Sequence, residues 1–326
     1  MDLRCGCGTS CLKPASEVLE DFRDFFSPCS QCENWKLKKF HPLKDQIDLS
    51  KLDNDFGRCS CGKRHLDLVM AHILKVMMEC GVKERESNLR NVCVPLITPA
   101  YPTSSIPYLP KNSLVILSPD LNKECAKRIL NEVSEVKGVL KGDIKDTVGI
   151  KDVNSPEITY ELLGGCDIRC DIVNTPYGAL CIYKNQGQIH IEFPKSLSPK
   201  IEALKIVLDR FDKPTVVDCT CGPGTLGMAA LKAGCSKVVF NDLWYPSALT
   251  TAINLKLNGF PVELLPNKTG LISSGEGIEV YCQDIIELKK VLQDKSDICL
   301  IDPFPGVDSA DFVSAVQDIC EEIVII

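Results

Sequence analysis

The run Val216-Val-Asp-Cys-Thr-Cys-Gly-Pro-Gly-Thr-Leu-Gly227 leaves few folds open to this chain. A β-branched apolar stretch ends in Asp218. A turn carrying Gly222, Gly224 and Gly227 follows, and Met228 to Ala233 are helix formers. A strand, tight turn and helix start of this kind lets backbone approach a ligand closely. Three more strands are predicted in step. Lys237 to Phe240 ends in Asn241-Asp242, a third strand runs through Val280 to Asp284, and Ile298 to Ile301 ends in Asp302-Pro-Phe-Pro-Gly306. Each acid stands at a strand's carboxyl end, where open α/β sheets bind ligands. Asp242 follows Asp218 by 24 residues, about the interval that places an acid on ribose hydroxyls. No Gly-Lys-Ser/Thr follows the turn, which disfavours a phosphate-gripping NTPase, and the glycines start too late for a dinucleotide fingerprint.

The form Asp-x-x-Cys-Gly-x-Gly-x-x-Gly, with Asp284 and the Asp-Pro-Phe-Pro tetrad, resembles class I S-adenosylmethionine-dependent methyltransferases. The tetrad is similar to the Asn/Asp-Pro-Pro-aromatic motif of enzymes that act on nucleobase nitrogens. Gly165, Ile189-His-Ile-Glu-Phe193 and Ser198-Pro-Lys-Ile-Glu-Ala203 extend the likeness to the tRNA guanine ring-nitrogen methyltransferases and their wybutosine-pathway relatives, over residues 112–326. The resemblance implies a Rossmann-like α/β methyltransferase domain behind a small α+β domain. It assigns Gly222 and Gly224 to cofactor approach beside Asp218 and Cys219, Asp242 to the ribose, and Asp284 to the adenine amine. Asp302, Pro303 and Phe304 would face the target base, and Glu202 would accept a proton. The family follows that Glu with Arg, whereas this chain has Ala203, and a further family Arg has no clear counterpart near Gly149-Ile-Lys-Asp152.

Physics supports the tetrad independently. A nucleobase nitrogen is a poor nucleophile while its lone pair is delocalised, and a carboxylate on a proline-stiffened loop can orient it. Phe304 offers a stacking face worth roughly 1–3 kcal/mol. The competing reading of Asp302-Pro is a turn after a buried strand.

Residues 1–65 contain an echo. Arg4-Cys-Gly-Cys-Gly-Thr-Ser-Cys11-Leu matches Arg58-Cys-Ser-Cys-Gly-Lys-Arg-His65-Leu, with Cys29-Ser-Gln-Cys32 between them. Cys5, Cys7, Cys11, Cys29, Cys32, Cys59, Cys61 and His65 are thus eight candidate ligands, enough for two closed zinc sites. An iron–sulfur cluster takes the same donors. Plain thiols, and a helix-capping role for His65, are the alternatives. Cys166 and Cys170, spaced C-x-x-x-C, could ligate metal, but the structural reading is preferred; Cys80, Cys181, Cys299 and Cys320 read as reduced buried thiols. Such usage of the 19 cysteines points to a cytoplasmic protein. No membrane span and no signal peptide is predicted.

The domains expected are a cysteine-rich module (1–94) with a buried helix from Leu66 to Cys80, a Pro-rich linker (95–111), the small domain (112–195) and the methyltransferase domain (196–326). In the small domain Ser113 to Leu117 reads as a strand and Asn122 to Val133 as a helix. Tyr177 to Tyr183 and Gln188 to Phe193 read as a hairpin. The last domain should hold five strands and lack the closing hairpin of the family, so that its last strand invites a partner chain or dimer. The net charge of −7 argues mildly against nucleic acid. The excess lies in residues 200–326, with 11 basic and 18 acidic side chains. Trp35-Lys-Leu-Lys-Lys-Phe-His-Pro-Leu-Lys44 interleaves basic and aromatic residues, as single-strand nucleic-acid binders do, or is merely solvated.

The function expected is methyl transfer to a nitrogen of an RNA base, tRNA guanine foremost. The alternatives are an aminocarboxypropyl transferase of the same fold, a protein or small-molecule methyltransferase, and a non-catalytic metal-stabilised binding protein.

Overall fold

A computed structural model describes residues 5, 11–146, 148–149, 158–292, 294–304 and 307–326. The N-terminal part begins with α1 (Ala15–Asp21), β1 (Arg64–His65) and α2 (Leu66–Glu79). Helix α2 is buried nearly all round, as its sequence predicts. Then come β2 (Val94–Ile97), β3 (Tyr108–Leu109), β4 (Leu114–Leu117), α3 (Lys123–Glu132), β5 (Val136–Lys141) and β6 (Glu161–Gly165). Asn122 caps α3 by accepting the Cys125 N–H at 2.9 Å. Strands β2, β4, β5 and β6 form one sheet in that order, and β1 pairs with β3.

The stretch 95–111, expected as a Pro-rich linker, carries strands of its own. It supplies most of β2 and all of β3. Phe26, Leu43, Leu52 and the apolar residues of α2 share one core with Leu114, Ile116, Ile129 and Val139. Residues on both sides of the Pro-rich stretch bury a single apolar face. A buried ion-pair cluster reinforces this union. Glu135, at the entry to β5, accepts from Arg64 Nη2 and from Arg58 Nη2, both at 2.7 Å. Arg64 and Glu135 are fully buried.

Strands β7 (Ile168–Val173) and β8 (Leu180–Asn185) form the hairpin. The expected partner run Gln188–Phe193 is not a strand. Its alternation of Ile189, Ile191 and Phe193 with His190 and Glu192 mimics one. The chain instead leaves the sheet at Asn185 and lays this segment along a cavity wall.

The C-terminal half begins with α4 (Pro199–Leu208). Its sheet contains β9 (Thr215–Asp218), β10 (Lys237–Asp242), β11 (Val262–Leu264), β12 (Gly270–Gly275), β13 (Ile278–Cys282), β14 (Ser296–Ile301) and β15 (Cys320–Ile325). The connecting helices are α5 (Thr225–Ala233), α6 (Tyr245–Leu257), α7 (Leu288–Val291) and α8 (Ala310–Val316). The order is β11-β12-β13-β10-β9-β14-β15. Strands β13, β10, β9, β14 and β15 are parallel and follow the doubly wound 3-2-1-4-5 pattern of a Rossmann-like sheet.

Seven strands replace the five expected. The extra pair, β11 and β12, continues the sheet antiparallel beyond β13. β11 is only three residues long and β12 is made largely of Gly and Ser, so neither gives a strong strand signal in the sequence. Along the parallel strands successive residues face opposite layers. Val216, Val238, Phe240 and Leu300 pack on the α4–α5–α6 side, while Val217, Val239, Cys299 and Ile301 pack on the α7–α8 side. Cys299 and Cys320, expected as reduced thiols, form a disulfide between β14 and β15. The two strands are adjacent and parallel, which brings residues 21 apart in sequence together.

The hairpin is fastened to this half through α6. Asn254 exchanges hydrogen bonds with the Tyr183 backbone, at 2.8 and 3.0 Å, and Asn258 does the same with Cys181, at 3.0 and 2.7 Å. Side-chain amides here replace a neighbouring strand. Among the described residues no helix is long and apolar enough to cross a membrane.

Candidate active site and candidate metal centre

A cavity of about 1010 Å³ opens at the carboxyl ends of β9, β10, β13 and β14. Its floor is the Gly-rich turn. Cys221 N–H donates to Asn241 O at 2.8 Å, and Gly222 N–H donates to Asp242 Oδ2 at 2.8 Å. Asp242 Oδ1 accepts the Trp244 N–H at 2.8 Å. Gly222 has φ +53°, and a Cβ there would meet nothing within 4 Å. Its face is open for close approach by a ligand. Gly224, at φ +85°, starts α5, and a Cβ there would press on Thr251 at 2.8 Å. Gly224 thus serves packing and does not line the cavity.

Asp218 does not line the cavity either. It is fully buried beneath the turn, where Oδ2 accepts the Gly227 N–H at 2.9 Å. Burial raises its pKa to about 7, and burial likewise raises Asp242 to about 6. Cys219, Asp242 and Asp284 all line the cavity. Asp284 also caps the turn after β13 by accepting the Ile286 N–H at 3.1 Å. Buried Asn241 Oδ1 has no partner among the described residues, and Asn241 lines the same wall.

Asp302, Pro303 and Phe304 form the opposite rim, with Pro305 and Gly306 outside the described residues. Asp302 N–H donates to Thr220 Oγ1 at 2.8 Å, which ties the rim to the Gly-rich turn. Lys200 Nζ donates to Asp302 Oδ2 at 2.6 Å and to Glu192 at 3.1 Å. Behind them Lys184 bridges Glu192 (3.4 Å) and Asp171 (3.1 Å), and Arg169 lies 3.0 Å from Asp171. A chain of alternating charges thus runs from the hairpin floor to the rim. Lys184 and then Lys200 hold the Glu192 carboxyl down at about 2. Asp302 is shifted the other way, raised by burial against the opposing pull of Lys200. The His190 ring meets Phe304 edge-on at 6.0 Å, and burial lowers its pKa.

Glu202, expected as a proton acceptor, is exposed on α4 and does not line the cavity. The helix turn that carries it points Lys200 and Ile201 inward instead. Lys200, Glu192 and Lys184 were not singled out from the sequence. The only signal was the position of Glu192 and Lys200 within the two segments that carried the resemblance.

Of the eight candidate ligands, Cys29, Cys32, Cys59 and Cys61 come together, all sulfurs lying within 4.8 Å of one another. The separations Cys29–Cys32, Cys29–Cys59 and Cys32–Cys61 are 3.7, 3.5 and 3.7 Å. Four thiolates at about 2.3 Å from one tetrahedral ion would stand about 3.8 Å apart. The donor set therefore fits a single ion; an iron–sulfur cluster spreads its thiolates over several irons. His65 belongs to a different environment. It is buried, its Nδ1 accepts the Asp67 N–H at 3.2 Å to cap α2, and its ring meets Tyr108 edge-on. The Cys59-x-Cys61 turn ends before β1 carries His65 into the core, so the echo with Cys11 stops at the sequence. Cys5 and Cys11 gather with Cys166 instead, and Cys7 lies outside the described residues.

No family model matches the chain, and no curated protein matches it. Among solved structures it is similar to the M. jannaschii tRNA m1G37 methyltransferase, with 15% identity over 80% of this chain and 65% of that one and a TM-score of 0.39. It is also similar to aTrm5 in complex with tRNALeu, with 16% identity, 64% and 54% coverage and a TM-score of 0.38. A third is Trm1 from Pyrococcus horikoshii with S-adenosyl-L-methionine, with 20% identity, 44% and 38% coverage and a TM-score of 0.33. The chain spans between about two fifths and two thirds of the length of these structures.

Proposed function

We propose that this chain is an S-adenosylmethionine-dependent methyltransferase acting on a ring nitrogen of an RNA base, with tRNA guanine as its substrate. The observation that carries the reading is one cavity with two unlike ends. At one end lie the open Gly222, Asp242 and Asp284; at the other, Lys200 sits beside Asp302.

The first end suits the cofactor. Asp242 would accept the ribose hydroxyls and Asp284 the adenine amine, while the open Gly222 face admits the ligand to the backbone. Acids outnumber bases among the lining residues, which favours a cationic sulfonium ligand. The bound cofactor supplies an electrophilic methyl group.

The second end suits a lactam edge. Lys200 donates while Asp302 accepts, side by side, and guanine presents a carbonyl O6 next to its N1–H. Lys200 would hold O6 and stabilise the charge that develops there as N1 loses its proton. Asp302, raised by burial, is a stronger base than Glu192, held at about 2. Asp302, at the rim beside Lys200, is placed to take the N1 proton, and Glu192 holds Lys200 in place. Phe304 covers the base face. Alignment of the nitrogen with the methyl carbon accounts for much of the rate. The four-cysteine group holds zinc as a closed structural site and supports the RNA-facing part of the chain.

The test is incubation of the purified chain with cofactor and unmodified tRNA transcripts, followed by nucleoside mass spectrometry. One added methyl on guanosine is the expected product. A four-carbon amino acid added instead would indicate the aminocarboxypropyl reaction. Cofactor binding with tRNA left unchanged would sink the RNA reading.

A further inference from the structure

We infer that Cys5, Cys11 and Cys166 form a second metal site, for a thiophilic divalent cation such as zinc, that clasps the N-terminal segment to the corner between β6 and β7. Cys5 Sγ lies 3.1 Å and Cys11 Sγ 3.6 Å from Cys166 Sγ. Both separations exceed the roughly 2.05 Å of a disulfide and approach the roughly 3.8 Å edge of a tetrahedral thiolate site.

The three sulfurs are brought together by structure built on both sides. Cys166 follows the end of β6, and its N–H donates to Lys137 O at 2.7 Å, which fixes the corner against β5. The N-terminal segment is pinned to the hairpin. The Tyr183 hydroxyl accepts the Lys13 N–H and donates to Lys13 O, both at 3.0 Å, and Leu12 packs with Ala15 and Tyr183. Cys11 and Cys166 are thereby brought together across 155 positions, and Cys5 meets Cys166 across 161.

Charge points the same way. Lys137 Nζ donates to Cys11 Sγ at 3.2 Å and to Ile168 O at 3.0 Å. Three thiolates around a divalent ion carry a net charge of about −1, which the Lys137 ammonium cancels. Each thiol gives its proton to solvent on ligation, and no electron moves. Cys7 lies outside the described residues and is not counted as a ligand.

The site is separate from the group of Cys29, Cys32, Cys59 and Cys61, so the two can be told apart. Full-length protein, loaded with zinc under reducing conditions, is measured for bound metal beside Cys166→Ala and Cys29→Ala/Cys59→Ala variants. Two zinc ions per chain are expected, falling to one in Cys166→Ala and one in the double variant, and to none when all three changes are combined. If wild type holds a single ion, its loss in Cys166→Ala supports the clasp and its retention overturns it. Wild type without metal also overturns it. Alkylation mapping of wild-type protein covers the case of a variant that fails to fold. Cys5 and Cys11 should be protected with zinc present and become reactive, together with Cys166, on chelation. Free alkylation of Cys5 and Cys11 in the loaded protein, or a Cys5–Cys166 disulfide in non-reducing mass spectrometry, would refute the site.

Discussion

Replacing Lys200 by Met removes the charge and the terminal nitrogen while keeping most of the unbranched side chain. Two contacts are lost, to Asp302 at 2.6 Å and to Glu192 at 3.1 Å. A hydrogen bond to a charged group contributes about 1.5–3 kcal/mol. Lys200 is 41% exposed, so water screens part of that and the low end applies, about 1.5–2 kcal/mol. If Lys200 also donates to the base carbonyl in the transition state, kcat/KM for tRNA should fall about 10- to 30-fold. Asp302 loses the neighbour that opposes its upward shift. The acid limb of the pH–rate profile should therefore move to higher pH in Lys200→Met and return part of the way in Lys200→Arg. Cofactor affinity should change less than twofold, because Asp242 and Asp284 are untouched. The assay is transfer of labelled methyl to a tRNA transcript between pH 5 and 9, with calorimetry for the cofactor. A folded Lys200→Met protein with wild-type kcat/KM and an unmoved acid limb would refute the role given to Lys200.

Asp242, raised to about 6 by burial, must be ionised to accept ribose hydroxyls, so protonation competes with the cofactor. Affinity should be flat from pH 8 to 7 and weaken below pH 6, approaching tenfold per pH unit; calorimetry showing a pH-independent constant would remove Asp242 from the site. Glu135→Ala leaves Arg64 buried without its carboxylate, which should cost about 3–5 kcal/mol in urea unfolding; a loss under 1 kcal/mol would contradict the buried-network reading. Lys36, Lys38 and Lys39 are exposed, as is Phe40, with Arg90 over its ring at 5.4 Å. Changing the three lysines to Ala should flatten the salt dependence of tRNA binding by about two units in log–log slope, and an unchanged slope would place the RNA elsewhere.

The Rossmann-like half was legible because its signals are local. A β-branched run, a Gly-rich turn and an acid at each strand end lie within a few residues of one another, as around Asp218 and Asp242. The Cys29–Cys32 and Cys59–Cys61 pairs were legible for the same reason. What the sequence concealed is long-range. The meeting of Cys166 with Cys5 and Cys11, the Cys299–Cys320 bond, and the arrival of Lys200 and Glu192 beside Asp302 all depend on packing across 21 to 161 positions. Gln188–Phe193 misled because alternation marks one buried face, and a cavity wall produces that pattern as readily as a strand. His65 misled because an echo in sequence does not fix where the backbone turns.

The Pro-rich stretch has a consequence for how this chain can be divided. A cut between residues 97 and 108 would separate β2 from β4 and β1 from β3. It would also open a face that includes Leu74, Met77, Leu114 and Ile116 and leave Glu135 in one piece with Arg58 and Arg64 in the other. Neither piece could close its core alone. The four-cysteine group is thus no detachable finger, and wherever it recurs the β2–β4–β5–β6 sheet should travel with it as one heritable unit.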